Sequence, residues 1–221
     1  MNTAAQDWAI STEQELLDAA LRLAPEYGWT QRTVTLAGKV QGMSAAETEL
    51  LLPHGPTDLA ALFSRRHDAR ALEALAKVHA DNLKIREKIR RAVEARLDAA
   101  AADEAALRRC VGFLALPGHL RLAARLAWDS ADSLWRWAGD TATDENHYSK
   151  RMILAGILTG AVAIHLASGR GAAMAFVDRR IEDVMAFEKW KATTNLRPSH
   201  WLAQAAEHLG RMRYGAGTPE A

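Results

Sequence analysis

Residues that favour strands are scarce in this sequence. Alanine fills 45 of its 221 positions and leucine 27, against 15 isoleucines and valines together and 7 phenylalanines and tyrosines. Alanine and leucine are the strongest apolar helix formers, whereas β-branched and aromatic side chains suit a pleated sheet. A sheet-based fold is excluded on this ground and an all-α fold is expected. The length suffices for one large helical domain, or one with a small appendage, around a substantial core.

Breakers divide the chain. A first helix is expected over Thr12–Glu26 and ends at Gly28, and short helices follow over 32–40 and 45–52, with Gly42, Met43 and Ser44 between them. Pro53-His54-Gly55-Pro56 interrupts, and Thr57 or Asp58 caps the next helix. Apolar residues from Leu72 to Leu97, mostly three or four apart, predict one long helix over 69–102. Its basic residues read as a solvated face with i,i+4 pairs such as Arg90 and Glu94. After Pro117-Gly118 the pattern predicts helices over 119–138, 145–167 and 172–192, with a turn at Ser168–Gly171. A last amphipathic helix is expected over 198–213.

The formal net charge is +1, without the basic excess of a nucleic-acid binder. Residues 1–60 hold 3 basic and 8 acidic side chains, whereas residues 61–100 hold 10 basic and 6 acidic. The opening helices have the order of a TetR-type DNA-binding head, in which the second short helix enters the major groove. Here that helix carries Glu47 and Glu49 and no Lys or Arg, so it lacks the cations that phosphate contact requires. The head shape is kept while DNA chemistry is lost, and no nucleic-acid partner is expected.

Nothing in the residues alone points to catalysis. There is no phosphate loop, GxGxxG, HExxH or Glu-x-x-His, and the eight histidines are scattered. No cofactor or metal is expected. Cys110, the single cysteine, excludes an internal disulfide and reads as a buried thiol. The segment before Arg22 is acidic, unlike a signal or transit peptide. Met152 to Ala167 falls short of the roughly 20 apolar residues of a membrane span and reads as a core helix. A cytoplasmic protein, soluble or peripheral, is expected.

Residues 128–151 carry Trp135, Ala138, Gly139, Asp140, Asp144, Asn146, Tyr148, Lys150 and Arg151 in the pattern W-x-x-A-G-D-x-S/T-x-D-x-N-x-Y-x-K/R-R. This resembles the ubiquinone biosynthesis family Coq-nine. The likeness runs over roughly residues 80–190, upstream to the Ile89–Leu97 helix and downstream to Phe176–Val184. The resemblance implies an all-α, TetR-like helical bundle, a homodimer. Its degenerate head is placed at 1–56, a helical lipid-binding and partner-docking domain at 57–195, and a C-terminal amphipathic helix and tail at 196–221. It also implies a non-catalytic accessory protein, peripheral on the bacterial inner membrane. Such a protein binds an isoprenoid quinone or phospholipid and presents the quinone to the demethoxyubiquinone hydroxylase. The alternative is a TetR-type transcriptional regulator binding DNA and a hydrophobic ligand.

On this reading the docking patch comprises Asp132, Leu134, Trp135, Asp140, Asp144, His147 and Tyr148; His147 stands where a tryptophan is common in the family. Lipid contact is assigned to Phe113, Trp128, Met152, Ala155, Gly156, Leu158, Thr159 and Val162. The small residues Ala155, Gly156, Gly160, Ala161 and Ala163 either leave space for lipid or permit close helix packing. Trp135 belongs either to the core or to the surface. Membrane contact is assigned to Trp201, Leu202, Leu209, Met212, Arg211 and Arg213 on the final helix.

Overall fold

Helices make up every regular element among the residues the structure describes, 3–140 and 145–193. In this computed structural model α1 spans Thr3–Tyr27, α2 Gln31–Val40, α3 Ala45–Leu51, α4 Pro56–Leu75 and α5 Ile85–Ala101. α6 spans Glu104–Leu114, a 3₁₀ turn Pro117–His119, α7 Leu120–Trp137 and α8 Glu145–Thr193. The all-α expectation is met.

The helix starts have chemical causes. Thr30 caps α2 by accepting from Thr33 N. Ser44 and Glu47 form a reciprocal capping box on α3, each satisfying an amide the helix start leaves open. Among residues 1–51, α1 to α3 follow the order helix, short helix, Gly42 turn, short helix read from the sequence.

Several features depart from the sequence pattern: α1 begins at Thr3 instead of Thr12, and α4 follows Gly55 with no side-chain cap from Thr57 or Asp58. The single helix expected over 69–102 is broken at residues 76–84, where Asp81 and Asn82 favour turns over helix. Glu87 then accepts from Lys84 N to start α5. The break turns the chain back: Arg96 Nε donates to Asp68 at 2.6 Å, residues a continuous helix would hold about 42 Å apart. Another departure is α6. Leu107, Cys110, Val111 and Leu114 already carried its three-four spacing.

The chain divides into two compact units, Met1–Asp178 and Arg179–Ala221. In the first, α1 packs with later helices. Leu16, Leu17 and Ala20 of α1 share one core with Leu59 and Phe63 of α4 and Ala106 and Cys110 of α6. Trp29 Nε1 donates to Ala106 O at 3.0 Å, tying the start of α2 to α6. In the second unit, Arg180 pairs with Asp183 and Phe187 lies beside Trp190.

Gly169 interrupts α8 at φ 83° and ψ 173°, a conformation closed to other residues. It separates an arm over 145–168 from one over 170–193. Arg170, just past it, donates to Asp98 at 2.6 Å and Glu94 at 2.8 Å on α5. The bend lets Phe176 reach back to Gly160, where a Cβ would sit 2.7 Å from the ring. By length and composition alone, the His147–Phe187 part of α8 is apolar enough to cross a membrane. One side of the first arm is nonetheless core: Leu154, Ile157, Leu158 and Ala161 are buried.

Candidate functional site: an apolar cavity and a polar clasp

A cavity of about 320 Å³ opens within the first unit, near the lower end of ligand-site sizes. Its walls are Phe63 and His67 of α4, Val93 and Leu97 of α5, and Leu107, Cys110 and Leu114 of α6. Leu126, Ala127 and Ser130 of α7 and Leu158, Ala161 and Val162 of α8 complete it. The exposed Ala115, Leu120 and Thr159 also line it, on the solvent side. Burial pushes the Cys110 thiol up to about 12, so it remains protonated and inert.

Of the eight residues assigned to lipid contact, Leu158, Thr159 and Val162 line this cavity. Phe113, Trp128, Met152, Ala155 and Gly156 do not. Phe113 stacks on His119, with ring centroids 4.0 Å apart. Met152 and Gly156 face solvent, because α8 turns Leu154 and Leu158 inward and the other side out. The small residues divide the two roles left open: Ala161 and Ala163 line the cavity, while Gly160 admits the Phe176 ring. Most of the lining, on α4 to α7, was missed. Leu120, Ala123, Leu126, Ala127 and Ser130 lay on one face of α7 at helical spacing and signalled it.

The other end of α7 explains the W-x-x-A-G-D motif. Asp140 N donates to Trp135 O and Gly139 N to Arg136 O, both at 3.0 Å. Gly139 has φ 90°. This is a Schellman stop, and the glycine makes it possible. It places Asp140 against the start of α8. Lys150 Nζ donates to Asp140 at 2.6 Å, and Arg151 Nη1 donates to Asp140 at 3.0 Å. Arg151 Nε reaches Asp132 at 2.5 Å, and Trp135 Nε1 donates to Lys150 O at 3.0 Å. Burial alone would raise the Asp140 carboxyl, but the hydrogen bonds from Lys150 and Arg151 outweigh it and hold the group below its ordinary value. Arg151 is itself only 2% exposed. The motif is a buried ionic clasp between α7 and α8.

That placement alters the docking patch. Leu134 is fully buried, since it lies on the core side of α7. Asp132 and Asp140 are engaged by Arg151 and Lys150, and Arg136 also pairs with Asp132. Trp135 is half-buried and belongs to the clasp; Lys150 lies 5.4 Å from its ring centre. Trp128, half-buried, has its ring 6.0 Å from Tyr148 and 6.5 Å from His147. Tyr148 is 61% exposed. Asp144 and the six residues assigned to membrane contact lie outside the described residues.

Fold and site together define a protein whose described residues are all-helical, with an apolar cavity and, beside it on α7 and α8, an ionic clasp. The COQ9 family model matches residues 120–188, which include α7, the clasp and most of α8. The chain is 28% identical over 183 residues to the rat protein named Ubiquinone biosynthesis protein COQ9, mitochondrial, covering 78% of this chain and 58% of that one. The human protein of that name is 28% identical over 152 residues, covering 66% and 48%. The Drosophila melanogaster protein of that name is 25% identical over 148 residues, covering 65% and 45%. The chain is similar to the COQ9 family over these residues, and spans about half the length of the curated relatives it matches. One expectation is corrected here. The expected cytoplasmic place at a bacterial inner membrane does not stand beside the relatives named here, whose own names are mitochondrial.

Proposed function

We propose that this chain is a non-catalytic accessory protein of ubiquinone biosynthesis. It binds an isoprenoid quinone intermediate, or a phospholipid, and presents the quinone to the demethoxyubiquinone hydroxylase at a membrane surface, as a homodimer. The observation that carries this reading is the cavity: an almost wholly apolar wall built by five helices and open on one side. The pathway follows the printed names of the relatives. The TetR-like character of the bundle belongs to the same proposal. So does the last helix as membrane contact, through Trp201, Leu202 and Leu209. Against the regulator reading, α3 offers Glu47 and Glu49 where DNA would need cations.

The docking surface narrows to exposed groups beside the clasp: Tyr148 and Met152, with His147 and Trp128 behind them. Organic extraction and mass spectrometry of the purified protein test the central claim. A quinone or lipid is expected, and a repeatedly lipid-free protein without quinone affinity would sink it. For docking, Tyr148→Asp should abolish capture of the hydroxylase while the circular dichroism spectrum stays helical. Unchanged capture by that variant would remove Tyr148 from the patch.

A further inference from the structure

A polar side chain facing an apolar cavity settles its hydrogen bonds within the protein or with what fills the cavity. Most of the polar groups here are settled within. Arg96 is held by Asp68 at 2.6 Å and donates to Ser64 Oγ at 3.3 Å. Thr159 returns its hydroxyl to Ala155 O at 2.6 Å and Gly156 O at 3.1 Å. Two groups differ. Ser130 Oγ and His67 Nε2 are buried without a hydrogen-bond partner. The residues are 3% and 1% exposed, and both line the cavity.

Neither has a ready substitute. A serine inside a helix commonly returns its hydroxyl to the carbonyl one turn back, as Thr159 does, and Ser130 does not. Asp103 Oδ2 lies 3.8 Å from His67 Nε2, beyond hydrogen-bond reach. The imidazole is neutral: burial, then the charges of Arg96, Arg70 and Arg66, push it down to about 2. Two uncharged hydrogen-bonding groups therefore stand unpaired in a mainly apolar wall. Arg96 alone among the lining residues carries charge, and Asp68 neutralises it.

We propose that Ser130 and His67 form the polar anchor of this cavity, hydrogen-bonding an uncharged carbonyl or hydroxyl oxygen on the head of an otherwise apolar lipid. The anchor rests on the cavity reading above and names the ligand chemistry it selects. A phosphate or carboxylate would find no free cation there. A ligand oxygen would instead remove the desolvation penalty the two groups now bear.

Calorimetric titration of the full chain with decylubiquinone and with dodecylbenzene tests this, the second probe sharing the apolar body and lacking oxygen. Wild type is expected to bind both and to prefer the quinone. Ser130→Ala should weaken decylubiquinone roughly tenfold and leave dodecylbenzene unchanged. His67→Leu should narrow the same preference. If wild type binds neither probe, the cavity reading falls and the anchor with it. If both bind and both variants keep the wild-type preference, the anchor alone is overturned.

Discussion

The middle of α7 and its C-terminal end handle buried polarity in opposite ways. Around Asp140 every charge is answered: Lys150 and Arg151 share its carboxylate, and Arg151 also reaches Asp132. In the cavity wall that includes Ser130, two turns or more earlier on the same helix, a hydroxyl and the Nε2 of His67 are buried without hydrogen-bond partners. A polar group satisfied inside the protein stabilises the fold, whereas one left open destabilises it until something else binds. The difference separates the part of the motif that holds the structure from the part of the bundle suited to receive a ligand.

The largest effect is expected where the clasp is cut. Arg151→Met leaves Asp132 and Asp140 short of a buried cation and should lower the unfolding free energy by about 3 kcal/mol, measured by urea denaturation. A loss below about 1 kcal/mol would mean that Lys150 and Arg136 alone suffice. At the cavity, pH is the probe. His67 titrates at about 2 when folded but near 6.5 when unfolded, so below 6.5 only the unfolded chain takes up that proton. Stability should fall as pH drops from 6.5, with His67 contributing about 1.4 kcal/mol per pH unit. Arg66, Arg70, Arg96 and Asp103 are the charged groups around this ring. His67→Leu should make the dependence between pH 6 and 5 shallower by one proton, and an unchanged slope would show that His67 titrates normally.

Gly139→Ala sharpens the comparison from the clasp side. A side chain at φ 90° is strained, and a loss of about 1–2 kcal/mol in thermal or chemical unfolding is expected. Ser130→Ala should do the reverse. Deleting a hydroxyl that has no partner should raise the stability of the ligand-free protein by up to about 1 kcal/mol. A destabilised Ser130→Ala protein would remove the contrast between the middle of α7 and its C-terminal end.

The sequence made the helical class legible because composition and three-four spacing are local signals. Gly28, Gly139 and Gly169 likewise marked real ends and bends. The break at 76–84 was hidden because it contains neither Pro nor Gly, and Val78 and Leu83 continued the apparent stripe. At the site, W-x-x-A-G-D was visible as a motif but its meaning was not. Asp132 and Asp140 looked like surface acids until the fold brought Arg151 onto them. The cavity was assigned mainly to α8 because its apolar run is conspicuous. Four further helices contribute walls from positions between 60 and 130, and a meeting of such distant segments leaves no pattern along the chain.

The clasp also bears on the order in which this chain can assemble. Its partners are 10, 11 and 19 residues apart, whereas Arg90 meets Asp178 across 88 and Arg170 meets Asp98 across 72. Closing the longer loops costs about 1 kcal/mol more in chain entropy than closing the 19-residue one. The start of α8 can therefore be pinned to α7 before its far portion finds α5. The cavity wall that α8 supplies lies between those two attachment points, so it is held at its near end by a short loop and at its far end by a long one.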